Sequence, residues 1–465
     1  MRAAFLITTV FVALGAPGAF AQTQTQSQTP TAPAQTLTPM QIKWQLCMRS
    51  DAATTVNDAI TACSEIIETG QETQGNMAVA YFNRANAALT VNPRQAEVDY
   101  SQAITLGYAG ANVYYGRGIV RDALAKYQDA LADYTEALTQ NPNFGDALAN
   151  RGNVYQYGLQ DYDNAIADYT AAIAIGDNPI YRGNRGNAYQ YGKHDLADAI
   201  ADYDRAIELA PNYASAYVDR ANAHAALHES DAAIADYQHA LSLEPNSALA
   251  HLDLGNLYNT LGRRDDAITE WSAAIAADPR DAAALGNRAA AYAETQRFDL
   301  AAADYDAALA IRPDATDFFG RGKVRMLQAA TVADAIADFD QAAALDANNT
   351  DYKAYACMAR AIAGTELDAA RTLCDAALSS ASDAQHAEYL TYRGLVGLKQ
   401  QRWRDAWNDY NSAAAVTPSS AVALYGRGLA AQRLGQAGPA NADFAAANNA
   451  DANVSAMFAA WGVAQ

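Results

Sequence analysis

The chain has 465 residues and a formal charge of −20, set by 32 Lys and Arg against 52 Asp and Glu. With 51% hydrophobic residues, apolar material for a folded body is ample. No long Lys or Arg run is present to neutralise phosphates, so nucleic acids and anionic membrane surfaces are not expected as partners.

Residues 1–21, MRAAFLITTVFVALGAPGAFA, place Arg2 before a short apolar run and end in Ala19-Phe20-Ala21. This predicts a secretory signal peptide cut after Ala21, with export to a bacterial periplasm or beyond. The run is too short for a comfortable span, so no transmembrane insertion is expected; an uncleaved anchor is the alternative. Residues 22–37 are rich in Gln, Thr and Pro, and ordering them would cost entropy with almost nothing buried in return. They are predicted to form a disordered leader.

From residue 38 onward the same phrase returns. Gly118, Gly152 and Gly186 lie 34 residues apart, Ala221 follows after 35, and Gly255 and Ala289 after 34 each. Gly394 and Gly428 are again 34 apart, and about twelve such units fill residues 38–450. Within a unit the apolar spacing is helical. Tyr181, Gly186 and Tyr189 share one side of a first helix, and Ala199, Ile200, Tyr203, Ala206 and Ile207 recur at three- and four-residue steps on a second. Gly192 is predicted to break the chain between the two, and Pro211 to end the second. A large aromatic recurs on the second helix (Tyr100, Tyr134, Tyr169, Tyr203, Tyr237, Trp271, Tyr305, Phe339, Tyr410, Phe444), with Ala three residues later. Set against the small first-helix residue, this alternation predicts dense antiparallel helix packing.

The order small residue, Tyr, Ala-Ile, Tyr, Ala, Pro at this period resembles the tetratricopeptide repeat. The resemblance covers nearly the whole chain after Thr38. It implies an all-α fold, a right-handed α-solenoid superhelix of stacked helical hairpins whose first helices line a concave groove. It also implies a scaffold that binds peptides or protein segments, and not an enzyme. Where the family often carries Leu before the Gly, this chain repeats Arg, as at Arg84, Arg117, Arg151, Arg185, Arg220, Arg288, Arg321, Arg360, Arg393 and Arg427. Asp precedes most second-helix aromatics, as at Asp99, Asp133, Asp168, Asp202, Asp236, Asp304, Asp338, Asp409 and Asp443. The two columns predict a ladder of pairs, within a unit or between neighbours, that sets stacking register; two solvated charge columns are the alternative.

The four cysteines form two local pairs, Cys47 with Cys63 and Cys357 with Cys374, which in an exported protein predict two hairpin disulfides. They lack Cys-x-x-Cys spacing, and no metal or other cofactor is predicted. His224, His228 and His239 are the one metal-like cluster, but His224 occupies the first-helix aromatic column, which predicts a packing role.

The resemblance places particular residues in the groove. Asn153, Asn187, Asn222 and Asn256 follow the small residue, with Gln156-Tyr157 and Gln190-Tyr191 one turn later. Carboxamides can match a peptide backbone and tyrosines add flat area, so these eight residues are the expected peptide-binding set. Bridging between helices is the alternative role for the Asn columns. The column before the Arg holds Asn83, Asn150, Asn184 and Asn287, with Asp219 and Asp253 as variants. Apart from Lys323 these columns carry almost no cation, so a clamp for a C-terminal carboxylate is missing. An internal, neutral or basic partner segment is expected, most strongly along residues 112–260.

Residues 451–465 break the period, and Met457, Phe458 and Trp461 predict a short capping helix; a docking helix for a partner is the alternative. No phosphate loop, nucleophile elbow or His-Glu-x-x-His motif occurs. The expected function is a non-enzymatic interaction scaffold of the bacterial envelope. A broad-specificity periplasmic chaperone or holder is the alternative, and an enzyme a more distant one.

Overall fold

The structure, a computed structural model, describes residues 37–49, 53–327 and 332–464. The expected signal peptide, and all of the leader except Leu37, lie outside the described residues. Every regular element among the described residues is helical. One compact unit ends at Gln140 and a second begins at Asn141.

The first unit holds three hairpins: α1 (Pro39–Cys47) with α2 (Val56–Thr69), α3 (Gln74–Ala88) with α4 (Pro93–Thr105), and α5 (Ala111–Ala123) with α6 (Tyr127–Gln140). The second holds nine. They begin with α7 (Gly145–Asn153) and α8 (Tyr162–Ile175), α9 (Pro179–Asn187) and α10 (Leu196–Leu209), and α11 (Ala214–Ala226) and α12 (Ser230–Leu243). Next come α13 (Ala248–Thr260) and α14 (Arg264–Ala277), α15 (Ala282–Glu294) and α16 (Phe298–Ile311), and α17 (Ala315–Leu327) and α18 (Val332–Leu345). The last three are α19 (Thr350–Ala363) and α20 (Leu367–Ser379), α21 (Asp383–Lys399) and α22 (Trp403–Val416), and α23 (Ala421–Arg433) and α24 (Ala437–Ala450). A short α25 (Val454–Ala460) follows. This is the all-α repeat fold that the spacing predicts.

Side-chain caps start several of the helices. Thr38 and Thr55 form capping boxes ahead of α1 and α2, and Asp161 and Asp195 cap α8 and α10 by accepting from Asn164 N and Asp198 N. The break expected at Gly192 falls elsewhere. Gly192 lies inside a π-helical turn, Ala188–Lys193, and the chain reverses at His194, which takes a left-handed φ of 56°. Glycine is needed at 192 because a Cβ there would overlap the Tyr162 ring.

The core is built from aromatic rings laid on glycine. A Cβ at Gly186 would fall 2.6 Å from Tyr203 Cε1, and one at Gly152 2.8 Å from Tyr169 Cε1. Real Cβ atoms do not approach so closely, so the small first-helix residue is the space that the aromatic fills. Tyr203 and Ala206 are both fully buried in consequence.

The Arg and Asp columns pair within each unit. Nε and Nη2 of Arg288 donate to the two oxygens of Asp304 at 2.7 and 2.9 Å, a two-point contact that recurs from Arg84–Asp99 to Arg427–Asp443. The third nitrogen reaches back to the preceding hairpin. Arg288 Nη1 donates to Ser272 Oγ at 2.9 Å, and Arg185 Nη1 to Thr170 Oγ1 at 2.9 Å. Guanidinium groups placed like those of Arg185 and Arg288 therefore tie their own hairpins shut and fix the register of the hairpin before. The carboxylates are buried, so the solvated alternative does not hold. The two irregular rungs have sequence causes. Leu254 replaces Arg, and its neighbour Glu270 turns to His251 at 2.6 Å; Leu373 replaces Asp, and Arg360 turns to Asp340 and Glu366.

Cys47 is bonded to Cys63 and Cys357 to Cys374, across Cα separations of 4.8 and 5.5 Å. At the other end of the chain, α25 buries Val454 and Phe458, with the Phe458 ring 5.0 Å from that of Tyr425 and Trp461 packed beside it. Among the described residues no helix is long and apolar enough to cross a membrane.

Candidate peptide-binding face

The first helices α7, α9, α11 and α13 carry all eight residues expected to bind a peptide, or lead into the turns that carry them. The four asparagines are partly buried and already engaged. Asn153 Oδ1 accepts from the Tyr169 hydroxyl at 2.7 Å, Asn187 from Tyr203 at 2.6 Å, Asn222 from Tyr237 at 2.5 Å, and Asn256 from Trp271 Nε1 at 3.1 Å. Their column thus terminates the polar end of each core aromatic, which would otherwise be buried without a partner. The same residues join neighbouring hairpins. Asn184 Nδ2 donates to Asn153 Oδ1 at 3.1 Å and Asn287 Nδ2 to Asn256 Oδ1 at 2.8 Å, while Asn187 and Asn222 reach Asp219 and Asp253, each at 3.4 Å.

The two glutamines and two tyrosines are separated by an irregularity in the helix. After α7 the chain widens into a π-helical turn, Val154–Gly158, and after α9 into the turn Ala188–Lys193. This winding carries Gln156 and Gln190 inward, where they are 3% and 7% exposed with Oε1 2.9 Å from the hydroxyls of Tyr169 and Tyr203. The next residue points the other way. Tyr157 and Tyr191 are 43% and 41% exposed, and they are equivalent residues of successive hairpins. Such π-helical turns recur at functional sites in proteins because they re-aim side chains at the cost of poorer backbone bonding. The hydroxyl of Tyr157 is hydrogen-bonded with Asn187.

Asp219 on α11 and Asp253 on α13 complete the face. Burial pushes the Asp219 carboxyl up to about 7 and that of Asp253 up to about 6. Asn187 and Asn222 oppose the shifts by hydrogen bonding, and Asp253 adds repulsion to Asp219. No ion pair to either carboxylate occurs among the described residues; Arg185 and Arg220 are turned into the ladder. A crevice of about 70 Å³ opens beside Asp219, walled by Val218 and Leu249 with Ser215, Glu244 and Ser247 at its edges. Sequence reasoning noticed Asp219 and Asp253 only as variants of an Asn column. Their charge without a counterion was the available signal.

The histidines do not converge on this face. His224 Nδ1 lies 2.6 Å from Glu229, the His239 ring packs on Tyr217, and His228 occupies a left-handed turn position.

Stacked antiparallel hairpins with a glycine or alanine against the core aromatic define an α-helical repeat protein. Residues 108–180 and 252–316 match the tetratricopeptide repeat family model, and residues 229–262 match a TPR repeat model. Across these stretches the chain is built of tetratricopeptide repeats. No curated protein matches it. Similar solved structures include MamA, 23% identical over 36% of this chain and 96% of that one, with a TM-score of 0.32. YrrB, a TPR protein with an unusual peptide-binding site, is 25% identical over 41% of this chain and 95% of its own, with a TM-score of 0.34. A tetratricopeptide repeat protein from Parabacteroides merdae ATCC 43184 is 21% identical over 53% and 97%, with a TM-score of 0.41. At such TM-scores none of these superpositions bears on the face described above.

Proposed function

We propose that the protein is a non-enzymatic scaffold of the bacterial envelope that binds an internal segment of a partner protein along the first-helix face from α7 to α13. The observation that carries this reading is the exposure of Tyr157 and Tyr191 at equivalent positions of successive hairpins, each turned outward by its own π-helical turn. Tyrosine offers contact area at low entropy cost, and a regular row of it suits an extended chain. The carboxylates of Asp219 and Asp253 favour a basic segment over an acidic one. Asn153, Asn187, Asn222 and Asn256 contribute whatever donor capacity their partly buried amides retain, while Gln156 and Gln190 act from beneath, by fixing the turns.

Export rests on the signal-like residues 1–21 and agrees with two disulfides in the folded chain, which persist in oxidising compartments. Affinity capture from the periplasmic fraction with the wild-type chain and a Tyr157→Ala/Tyr191→Ala variant tests the reading. One recurrent protein lost with the double variant, at unchanged circular dichroism, is the expected result. Many unrelated unfolded clients would identify a holder instead. A partner retained by the double variant would place binding on another face.

A further inference from the structure

The proposed scaffold reading leaves open what chemistry the partner brings to this face, and three features of the second unit converge on it. The tyrosines are the first. Tyr157 and Tyr191 expose two-fifths of their surface, and Tyr213 lies close enough for its hydroxyl to sense Asp219. Next are the carboxylates, each held among the described residues by one asparagine amide at 3.4 Å, a long contact that leaves accepting capacity for a further donor. Finally, the crevice beside Asp219 is small, about 70 Å³, and apolar on two walls.

From these we infer that the face takes an arginine of the partner segment, its guanidinium lying on the Tyr157–Tyr191 rings against Asp219 and Asp253, with an adjacent small aliphatic side chain in the Val218–Leu249 crevice. A guanidinium suits this place better than an ammonium. It is planar and weakly hydrated, it stacks on aromatic rings, and its several donors can reach two carboxylates at once. The chain has no arginine of its own to spare here. Arg151, Arg185 and Arg220 are each locked onto the Asp of their own hairpin, at 2.7 to 2.8 Å. A net charge of −20 adds long-range attraction for a basic segment but cannot place it. The tyrosine-lined pair of carboxylates supplies that placement.

The groups around Asp219 are Asn187, Asp253, Tyr157, Tyr191, Tyr203 and Tyr213, with Glu244 across the crevice, and none is cationic. Near neutral pH the free Asp219 carboxyl is partly protonated, so seating a guanidinium there expels a proton. Diffuse attraction to an acidic surface gives no such release.

The test is calorimetric titration of the full oxidised chain with a capped alanine–arginine alternating peptide of about ten residues, long enough at roughly 3.3 Å per residue to cross adjacent hairpins. The comparison peptide carries citrulline at each arginine, which keeps the shape and removes the charge. Expected are binding of the arginine peptide and a loss of about tenfold or more with citrulline. An Asp219→Asn/Asp253→Asn variant should lose a similar factor, and binding heats near pH 7 should vary with buffer ionisation enthalpy. An Asp265→Asn/Asp383→Asn variant, which removes the same charge from exposed positions elsewhere, should change affinity by less than about twofold. The inference is overturned if citrulline binds equally well, if both charge variants weaken binding alike, or if the arginine peptide does not bind. Those outcomes leave the scaffold reading standing, because it is decided by loss of the captured partner in the tyrosine variant.

Discussion

At the scale of single residues, Arg288 and Asp304 show how this fold is held. The side chains are 17% and 12% exposed, the contact is two-pointed, and the third nitrogen binds the preceding hairpin through Ser272. An exposed ion pair of this kind would contribute under about 1 kcal/mol. Here the deletion of one member strands a buried charge, which costs roughly 3–5 kcal/mol. Arg288→Leu should therefore lower stability by about 3 kcal/mol in chemical denaturation, and adding Asp304→Leu should recover most of that loss. If the double variant is less stable than the single one, the pair contributes by attraction and not by satisfying its own burial. At Arg185 the effect should be smaller, because Arg182 Nη1 also reaches Asp202, at 3.0 Å, and remains when Arg185 is replaced.

At the scale of the hairpin, the two disulfides close α1 to α2 and α19 to α20 in the places where the repeat is least regular. α1 has only nine residues, and α20 has Leu373 where the ladder expects Asp. Closing a loop of this size stabilises by about 3 kcal/mol in the chain-entropy account. Reduction should thus speed amide hydrogen exchange first in residues 39–69 and 350–379, ahead of the ladder-bound hairpins. Uniform acceleration along the chain would show that the bridges do not act locally. Much of this element-level structure was legible before any coordinates. The 34-residue register found the hairpins, the matching Arg and Asp columns found the ladder, and local cysteine pairs found both bridges. What stayed hidden depends on one residue of helical phase. A π-helical turn after α7 and α9 sends Gln156 and Gln190 into the core and Tyr157 and Tyr191 out of it, which ordinary 3.6-residue spacing cannot anticipate. The same winding moved the hairpin break from Gly192 to His194. The unit boundary at Gln140 also left no mark, since the spacing from Gly118 to Gly152 runs through it without interruption.

At the scale of the molecule, burial holds four carboxyl groups among the described residues above their ordinary range. Burial raises Asp219 to about 7, and Asp122, Asp253 and Asp317 to about 6 each. For these groups the native state holds protons that the unfolded chain releases from about pH 3.8 upward. Their contribution to stability is therefore complete below that pH and is lost as pH rises through the native values. The denaturation midpoint should decrease as pH rises from about 4 to about 7, and Asp219→Asn/Asp253→Asn should flatten the decline. A decline of unchanged steepness in that variant would assign the effect to other groups.

The central claim is that a partner segment lies on the outward tyrosines of the first-helix face. A photo-crosslinking amino acid at position 191, compared with one at the exposed Leu300 of α16, tests it most directly in cells. The account predicts a discrete partner adduct from position 191 and none from position 300; adducts from position 300 alone would contradict it.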